Sequence, residues 1–289
     1  MQRIVPADTG TVRPHGLRVA GGEAPAPPSQ AGLAAEDLLE GLRLWEFWTV
    51  MGLQGVRRGY RRSLLGPFWL TLSLAVTVTA LGLLYGQLFG LPPARYVPHL
   101  ALGFIAWQFI SGVIAGSCSI FVRHKAWIMN DRRPLSLFVF TDVWGNLLEM
   151  AHNAPVYVGV ALWFGVFAGL AGLQIVPGLA LALLNAVWVG LLLGTVCARF
   201  RDVPPIVASV MRIAFFMTPV IWIPEMLGAR AHLALYNPFT YFVELIRAPL
   251  LGQVVPAVTW LLVLGVTAGG WAAACIVFTR YRARVPYWL

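Results

Sequence analysis

The chain has 289 residues, of which 58% are hydrophobic and only 11% are charged, and its mean hydropathy is +0.73. Soluble globular domains carry about 25% charged residues, so this composition excludes a soluble domain and indicates a polytopic membrane protein. The net charge of +9, taken alone, suggests a nucleic-acid partner. The arginines lie at the ends of apolar segments, however, where membrane topology and lipid head groups account for them, so we expect no nucleic-acid binding.

The first part of the chain precedes every long apolar segment. Residues 1–32 are polar, rich in Pro, Gly and Ala, and lack the apolar core of a secretory signal, so we expect a disordered cytoplasmic tail. Residues 33–56 predict an amphipathic interface helix, because apolar side chains recur there near helical spacing while most acidic residues lie elsewhere. The apolar positions are Leu38, Leu42, Trp45, Trp48 and Met51. The pattern fits either a simple membrane-surface anchor or a surface that faces a partner.

Six segments reach the length of about 20 mainly apolar residues that a membrane-spanning helix needs. They are residues 66–90, 98–122, 137–170, 176–198, 204–224 and 254–279. Next to the ends of these spans, thirteen Lys and Arg residues lie on the side of the two termini and three lie in the loops on the other side. Positive charge accumulates on the cytoplasmic side of membranes. We therefore predict an all-α integral membrane protein in which residues 57–289 form six transmembrane helices and both termini are cytoplasmic.

The region between spans five and six, residues 225–253, is too polar and too rich in proline to span, yet it contains the amphipathic run NPFTYFVELIRAPLLG. Asn237 is a good helix cap and Pro238 fits a first helical turn, so a short helix begins here and ends at Pro249. Non-helical backbone at membrane depth occurs only where protein or a cavity surrounds it. We therefore predict a re-entrant helical hairpin that dips in from the outer face.

The chain lacks a nucleotide-binding loop, which needs Gly-Lys followed by Ser or Thr. Its single lysine, Lys125, lies between His124 and Ala126. A pump would therefore take its energy from another subunit or from an ion gradient. The three cysteines lie in apolar sequence without ligand spacing, and His152 has no second histidine at ligand spacing, so we predict no metal site.

Segment three carries a stripe of polar residues on one helical face. The recurring residues, three or four positions apart, are Asp142, Asn146, Glu149 and Asn153. The stripe fits three interpretations: a solvated extension of a long helix, the lining of a water-filled channel, or a proton relay. A relay normally has opposing carboxylates or lysines in other spans, and the other predicted spans lack them.

The chain contains twelve tryptophans. Sugar rings stack on aromatic rings, so an aromatic-lined channel suits a neutral or weakly charged glycan, although Trp and Tyr also gather at membrane interfaces without a ligand. Trp107 and Trp144 fall within their predicted spans. Together with Asn146 and Glu149, they are the residues that we predict to face a channel.

The loop between spans two and three, RHKAWIMNDRRPLSLF, joins basic residues to an apolar triplet. A short surface helix here would present the triplet to a groove on a partner and the arginines to acidic residues around that groove. The residues are Trp127, Ile128, Met129, Arg132 and Arg133. The alternative is a positive-inside loop with an interfacial tryptophan.

Three motifs of this chain resemble those of ABC-2 type export permeases, particularly the permeases that carry O-antigen, capsule or teichoic-acid polysaccharides. At the start of span one the matching residues are Arg58, Tyr60, Arg61, Arg62, Ser63, Leu65, Gly66, Pro67 and Trp69. After span four they are residues 198–203, and in the hairpin they are Asn237, Pro238, Glu244, Arg247, Leu250, Leu251 and Gly252. The motifs follow the family's order, and the resemblance covers residues 35–285. In one departure, residues 53–55 read Leu-Gln-Gly where the family commonly has Asp-Leu-Lys.

The resemblance implies the channel-forming subunit of an ATP-driven exporter of lipid-linked polysaccharide, such as the O antigen of lipopolysaccharide, in the bacterial cytoplasmic (inner) membrane. It implies a homodimer that binds two ABC ATPase subunits, which hold ATP and Mg. This chain itself would then be no enzyme and would carry no cofactor.

The same resemblance implies three functional regions. A coupling helix that fits a cleft of the ATPase would contain Trp127, Ile128, Met129, Arg132 and Arg133. The interface helix beside the ATPase would contain Trp45, Trp48, Arg57, Arg58, Arg61 and Arg62. The hairpin that gates the outer mouth would contain Asn237, Pro238, Tyr241, Glu244 and Arg247.

Two other functions stay open. An ABC-2 exporter of drugs or lipids shares the topology but less often has the sequence RRSLLGPFW. A membrane-embedded glycolipid enzyme needs a pair of acidic metal ligands at the membrane face, whereas the outer-loop acids Glu225 and Glu244 lie far apart in the sequence.

Overall fold

A computed structural model describes residues 29–59, 68–131 and 133–289. Within these ranges the chain has eleven α-helices, three 3₁₀ helices and no strand, which confirms the predicted all-α class. The α-helices are α1 (Gln30–Arg43), α2 (Trp45–Gly59), α3 (Phe68–Leu88), α4 (Pro93–Arg123), α5 (Lys125–Asn130), α6 (Leu135–Phe164), α7 (Ile175–Arg199), α8 (Val203–Met217), α9 (Pro238–Leu250), α10 (Ala257–Tyr281) and α11 (Val285–Trp288). The 3₁₀ helices are Gly169–Gln174, Pro224–Tyr236 and Arg282–Arg284, and the second of these is interrupted by a kink at Gly228 (φ 53°, ψ −121°). Most of the predicted disordered tail, residues 1–28, lies outside the described ranges.

Four helical stretches of the described chain are long and apolar enough to cross a membrane. They are Phe68–Leu88, Pro93–Arg123, Gly169–Arg199 and Ala257–Trp288. Helix α6 has a comparable length of 30 residues and carries the polar stripe. These helices make the chain a multi-pass membrane protein.

The fifth predicted segment, residues 204–224, is helical over a shorter length than the sequence pattern indicates. Helix α8 ends at Met217 after 15 residues, or about 22 Å at 1.5 Å per residue. Thr218 then adopts an extended conformation, and its hydroxyl donates to the Ala214 carbonyl, 2.7 Å away. The apolar composition continues past this point, but the following Pro219 favours an extended residue before it, so the helix stops.

Helix α4 lies at the centre of the bundle, where it packs against α3, α6, α7, α8 and α9. Half of the residues in its most apolar stretch are buried, against 17% in α3 and 22% in the last long stretch, which contains α10. Helix α10 packs against α7 and α9. The outer helices thus turn apolar side chains away from the protein, as helices in contact with lipid do.

The predicted single amphipathic helix forms as two helices, α1 and α2, which meet at Leu44. Both pack against α6, and α1 also reaches α10. Leu44 leaves helical geometry at φ −80° and ψ 38° although neither glycine nor proline is present there. The residues around Leu44 therefore do not account for the break, and the helices on both sides of it pack against α6.

Candidate functional site

The loop between α4 and α6 lies beside the first and last helices of the described chain. We call this end of the bundle, formed by α1, α2, α5 and α11, the basic end. Its basic side chains within the described ranges include Arg43, Arg57, Arg58, Arg123, Lys125, Arg133, Arg199, Arg201, Arg280, Arg282 and Arg284. The charge that the sequence places in separate loops is thereby gathered on one surface.

Helix α5 is the predicted short helix between spans two and three. Ile128 is buried in the core, whereas Trp127 and Met129 are 44% and 57% exposed. The edge of the Trp127 ring contacts Phe47 of α2, with 5.8 Å between ring centres, and the Arg133 guanidinium lies 4.5 Å from the centre of the Phe47 ring. The predicted coupling segment and the predicted interface helix therefore share one surface, a contact that the sequence pattern did not indicate.

The predicted interface residues of α2 differ in exposure. Trp45 is 58% exposed, whereas Trp48 is half-buried against Phe140 and Trp144 of α6, at ring-centre distances of 6.2 and 5.9 Å. Arg57 and Arg58 are exposed at the end of α2, and Arg61, Arg62 and Arg132 lie outside the described residues. Only part of α2 therefore offers a free surface, because its other face packs on α6.

A buried carboxylate joins α1 to two other helices. Asp37 is 7% exposed and accepts hydrogen bonds from the backbone N–H groups of Leu135 (3.1 Å) and Ser136 (3.0 Å) and from Arg282 (3.1 Å). Asp37 thus caps the start of α6, where Pro134 supplies no capping side chain. The sequence analysis missed this role, and the proline at the cap of α6 is the signal that an external acceptor is needed.

His124 fills the junction between α4 and α5. Its ring stacks on Phe138 at 4.9 Å between ring centres, and its Nδ1 lies 2.9 Å from the Ile120 carbonyl oxygen. Burial lowers the pKa of His124, and the positive charges of Arg123 and Arg58 lower that pKa further, although the Ile120 carbonyl opposes the shift. The neutral ring is therefore the form that fits this junction.

A polar cavity of about 560 Å³ opens between α2, α4 and α6 at the basic end. Its polar and charged lining residues within the described chain are Arg58, Arg123, His124, Trp127, Thr141, Asp142, Asn146 and Glu149. Arg123 pairs with Asp142 at 2.5 Å, and the Asn146 side chain donates to the Asp142 backbone carbonyl at 2.9 Å. Three members of the predicted polar stripe thus meet in one cavity.

The four predicted channel residues separate into two groups. Asn146 and Glu149 line the polar cavity. Trp107 is buried between Phe215 and Phe239, at ring-centre distances of 5.6 and 5.7 Å, and Trp144 packs on Trp48. Both indole rings thus contact protein in this chain, and a channel role for them stays a prediction.

A second polar cluster lies at the opposite end of α4. Arg247 of α9 is 1% exposed and donates to the Pro219 carbonyl (2.6 Å), to His99 Nε2 (3.0 Å) and to the Glu244 carboxylate. The Arg247 guanidinium therefore satisfies non-helical backbone after α8 and ties it to α4 and α9. The motif pointed to Glu244 and Arg247 but not to His99, because a lone histidine near the start of a span has no local signature.

The other predicted hairpin residues also make local hydrogen bonds. The Asn237 side chain accepts from the Phe239 N–H at 3.0 Å and donates to Thr218 at 2.9 Å. The Tyr241 hydroxyl donates to the Leu235 carbonyl at 2.7 Å. Asn237 is thus the cap and Pro238 the first residue of α9, which confirms the predicted start of this helix.

The apolar helices and the basic end define a multi-pass helical membrane protein with a polar cluster at each end of α4. Residues 47–251 match the family described as ABC-2 type transporter. The chain belongs to this family, which confirms the predicted family.

Two relatives are each described as O-antigen export system permease protein RfbA of Klebsiella pneumoniae. They are 20% and 21% identical to this chain over 197 and 201 residues. Each alignment covers 68% of this chain and 76% of the relative.

Proposed function

We propose that this protein is the channel-forming permease subunit of an ATP-driven exporter that moves lipid-linked polysaccharide across the bacterial cytoplasmic membrane. The observation that carries the proposal is the match to the ABC-2 type transporter family together with two similar proteins described as O-antigen export permeases. In this proposal the chain forms the transport path, and a separate subunit binds ATP and Mg and hydrolyses ATP.

In this proposal α3, α4, α6, α7, α8 and α10 are the six spans, and the basic end is cytoplasmic. The concentration of arginine at that end supports the orientation, because positively charged residues favour the cytoplasmic side. Helix α8 is short for a span, and the non-helical residues that follow it complete the crossing. The buried Arg247 supports this assignment, because it supplies the hydrogen bonds that such backbone needs at membrane depth.

The segment from Pro224 to Leu250, a 3₁₀ helix followed by α9, is the re-entrant hairpin of the proposal and gates the outer mouth of the channel. Its cluster of Arg247, Glu244 and His99 supports this role, because it fixes the hairpin to α4 without occupying the polar cavity at the other end. Two copies of the chain pair to enclose the channel.

The ATPase binds the basic end in this proposal. Exposed Trp127 and Met129 supply apolar contact, and the surrounding arginines supply charge for acidic residues of the partner. A surface groove of about 660 Å³ lies beside them, lined by Phe47, Val50 and Arg133 among others. Movement of the ATPase subunits would act on α5 and α2 together, because Trp127 and Phe47 are in contact.

The test is co-purification of the tagged chain with its candidate ATPase, followed by ATPase assays in lipid with and without lipid-linked polysaccharide. We expect a complex of two permease and two ATPase subunits whose hydrolysis rate rises with the glycan. A chain that purifies without an ATPase under conditions that preserve its fold would refute the proposal.

A second candidate is an ABC-2 exporter of drugs or lipids. An apolar cavity of about 300 Å³ between α4, α7 and α9 favours it, because Phe109, Phe239 and Phe242 form a lining suited to an apolar molecule. In the same assay, hydrolysis stimulated by amphiphilic drugs or phospholipid but not by lipid-linked polysaccharide would select this candidate.

A further inference from the structure

A polar groove runs between α4 and α6 within a single chain. Its α6 side is lined by Asp142, Asn146 and Glu149, and the polar stripe continues beyond this lining to the buried Asn153, about 16 Å along the helix from Asp142. At the far end of the stripe, Asn153 is 4% exposed and donates to Gln108 of α4 at 2.8 Å. The Asn153 Oδ1 atom is buried and has no hydrogen-bond partner among the described residues.

Helix α4 leaves room for these polar groups. A Cβ atom at Gly112 would lie 2.4 Å from Asn146 Oδ1, and one at Gly116 would lie 2.6 Å from Asp142 Oδ2. A side chain at either glycine would therefore displace the polar end of Asn146 or of Asp142. Gln108, Gly112 and Gly116 recur every four residues, so one face of α4 is matched to the stripe on α6. The groove therefore results from the small residues of α4 and the polar residues of α6 that lie opposite each other.

The charges in the cavity at the mouth of the groove balance. Among the lining residues that the structure describes, two are arginines, Arg58 and Arg123, and two are acidic, Asp142 and Glu149. Arg123 is already paired with Asp142 at 2.5 Å. A phosphate site needs guanidinium groups in excess of carboxylates, so this cavity suits an uncharged ligand better than an anionic one.

The remaining groups match the hydroxyls of a sugar. The Glu149 carboxylate and the Asn146 amide oxygen accept hydrogen bonds, and the Asn146 amide and the arginines donate them.

We propose that the α4–α6 groove of each chain binds uncharged sugar units of the glycan at the basic end, before the polymer enters the channel. This inference rests on the proposed export function and adds a binding site that lies inside one chain. Glu149 and Asn146 are its hydroxyl-recognising residues, and Gly112 and Gly116 are the positions that keep it open.

The experiment measures binding by calorimetry to the full chain with its ATPase in lipid nanodiscs. Two probes are used: glycan released by mild acid from the lipid-linked polysaccharide of the producing cells, and undecaprenyl diphosphate without sugar. We expect Glu149→Gln to weaken binding of the released glycan about tenfold, because a hydrogen bond to a carboxylate is lost. The matched control Glu225→Gln, at the opposite end of α4, leaves the affinity unchanged.

Three results would overturn the inference. One is an equal affinity of wild type and Glu149→Gln for the glycan, while the complex with the ATPase is intact and its hydrolysis is stimulated normally. This result would reject the binding site but not the proposed export function. Another is displacement of the glycan by bare undecaprenyl diphosphate in wild type, and at lower concentration in Glu149→Gln, which assigns the groove to phosphate. The third is a wild-type chain that binds the ATPase but neither binds the glycan nor shows glycan-stimulated ATP hydrolysis. This result would also reject polysaccharide export. Asn146→Ala serves as the second variant if Glu149→Gln does not assemble.

Discussion

Among single residues, Asp37 is a buried carboxylate whose removal should destabilise the basic end. Asp37→Asn takes away the charge that Arg282 and two backbone N–H groups of α6 contact in a buried site. We expect the free energy of unfolding to fall by about 3 kcal/mol, because loss of one partner leaves a largely buried guanidinium without its charge partner. Thermal unfolding in detergent measures the change.

Asp131→Asn is the matched control for Asp37→Asn. Asp131 also pairs with an arginine, Arg133, but its side chain is 48% exposed. Solvent-exposed pairs contribute about 0–1 kcal/mol, so this variant should unfold nearly as the wild type does. Equal destabilisation by the two variants would show that Asp37 does not hold the helices together.

His124 predicts a dependence of stability on pH. Burial, with Arg123 and Arg58 nearby, lowers the pKa of His124, so the folded state favours the neutral ring. The resulting stability is present above the usual histidine pKa of about 6.5 and is lost as the pH falls through the lowered pKa. We expect thermal stability to decrease between pH 7 and pH 5, and His124→Phe to reduce that decrease.

At the scale of helices, α5 tests the coupling proposal. Trp127→Ala combined with Met129→Ala removes exposed apolar contact while the core side chain Ile128 stays in place. We expect the double variant to fold normally but to lose most of the glycan-stimulated ATPase rate and export. Assays of hydrolysis and transport on the same preparation measure the coupling, and transport at the wild-type rate would contradict the assignment.

Ile128→Ala separates folding from coupling within the same helix. Ile128 is 9% exposed, and truncation of a buried isoleucine costs about 2–5 kcal/mol. This variant should lower the unfolding temperature, which the Trp127 and Met129 changes should not do.

Helix α9 and the non-helical segment after α8 depend on Arg247. Arg247→Ala leaves the Pro219 carbonyl and the Glu244 carboxylate without their donor in a buried site, so we expect a loss of about 3–5 kcal/mol in the free energy of unfolding. Arg247→Lys should recover only part of this free energy of unfolding, because an ammonium group cannot replace the planar set of donors of a guanidinium group. Thermal unfolding checks both variants, and Arg95→Ala, at an ion pair that is more than half exposed, is the control with little expected effect.

The helices also show which local signals were sufficient. Asn237 and Pro238 fixed the start of α9 because a cap and a first-turn proline act within a few residues. The end of α8 at Met217 and the break at Leu44 were not predicted. The end of α8 follows from Pro219, a signal that the continuing apolar composition hid, and the break at Leu44 has neither a proline nor a glycine to mark it.

At the scale of the whole molecule, length, composition and arginine placement predicted an all-helical membrane protein, and the motifs predicted its family, which the comparisons confirm. The number of spans is still a proposal, because four stretches meet the criteria of length and hydropathy while α6 and α8 are assigned to the membrane by their place in the bundle.

The sequence by itself determined the properties that depend on composition and on neighbours along the chain: the helical class, the apolar segments, the basic loops and the caps. The tertiary structure alone decided which polar residues meet. Asp37 caps a helix that begins 98 residues later, and Arg247 reaches His99 across 148 residues. The physical reason is that a buried polar group must find a partner wherever the fold supplies one, and sequence spacing carries no information about a partner on another helix.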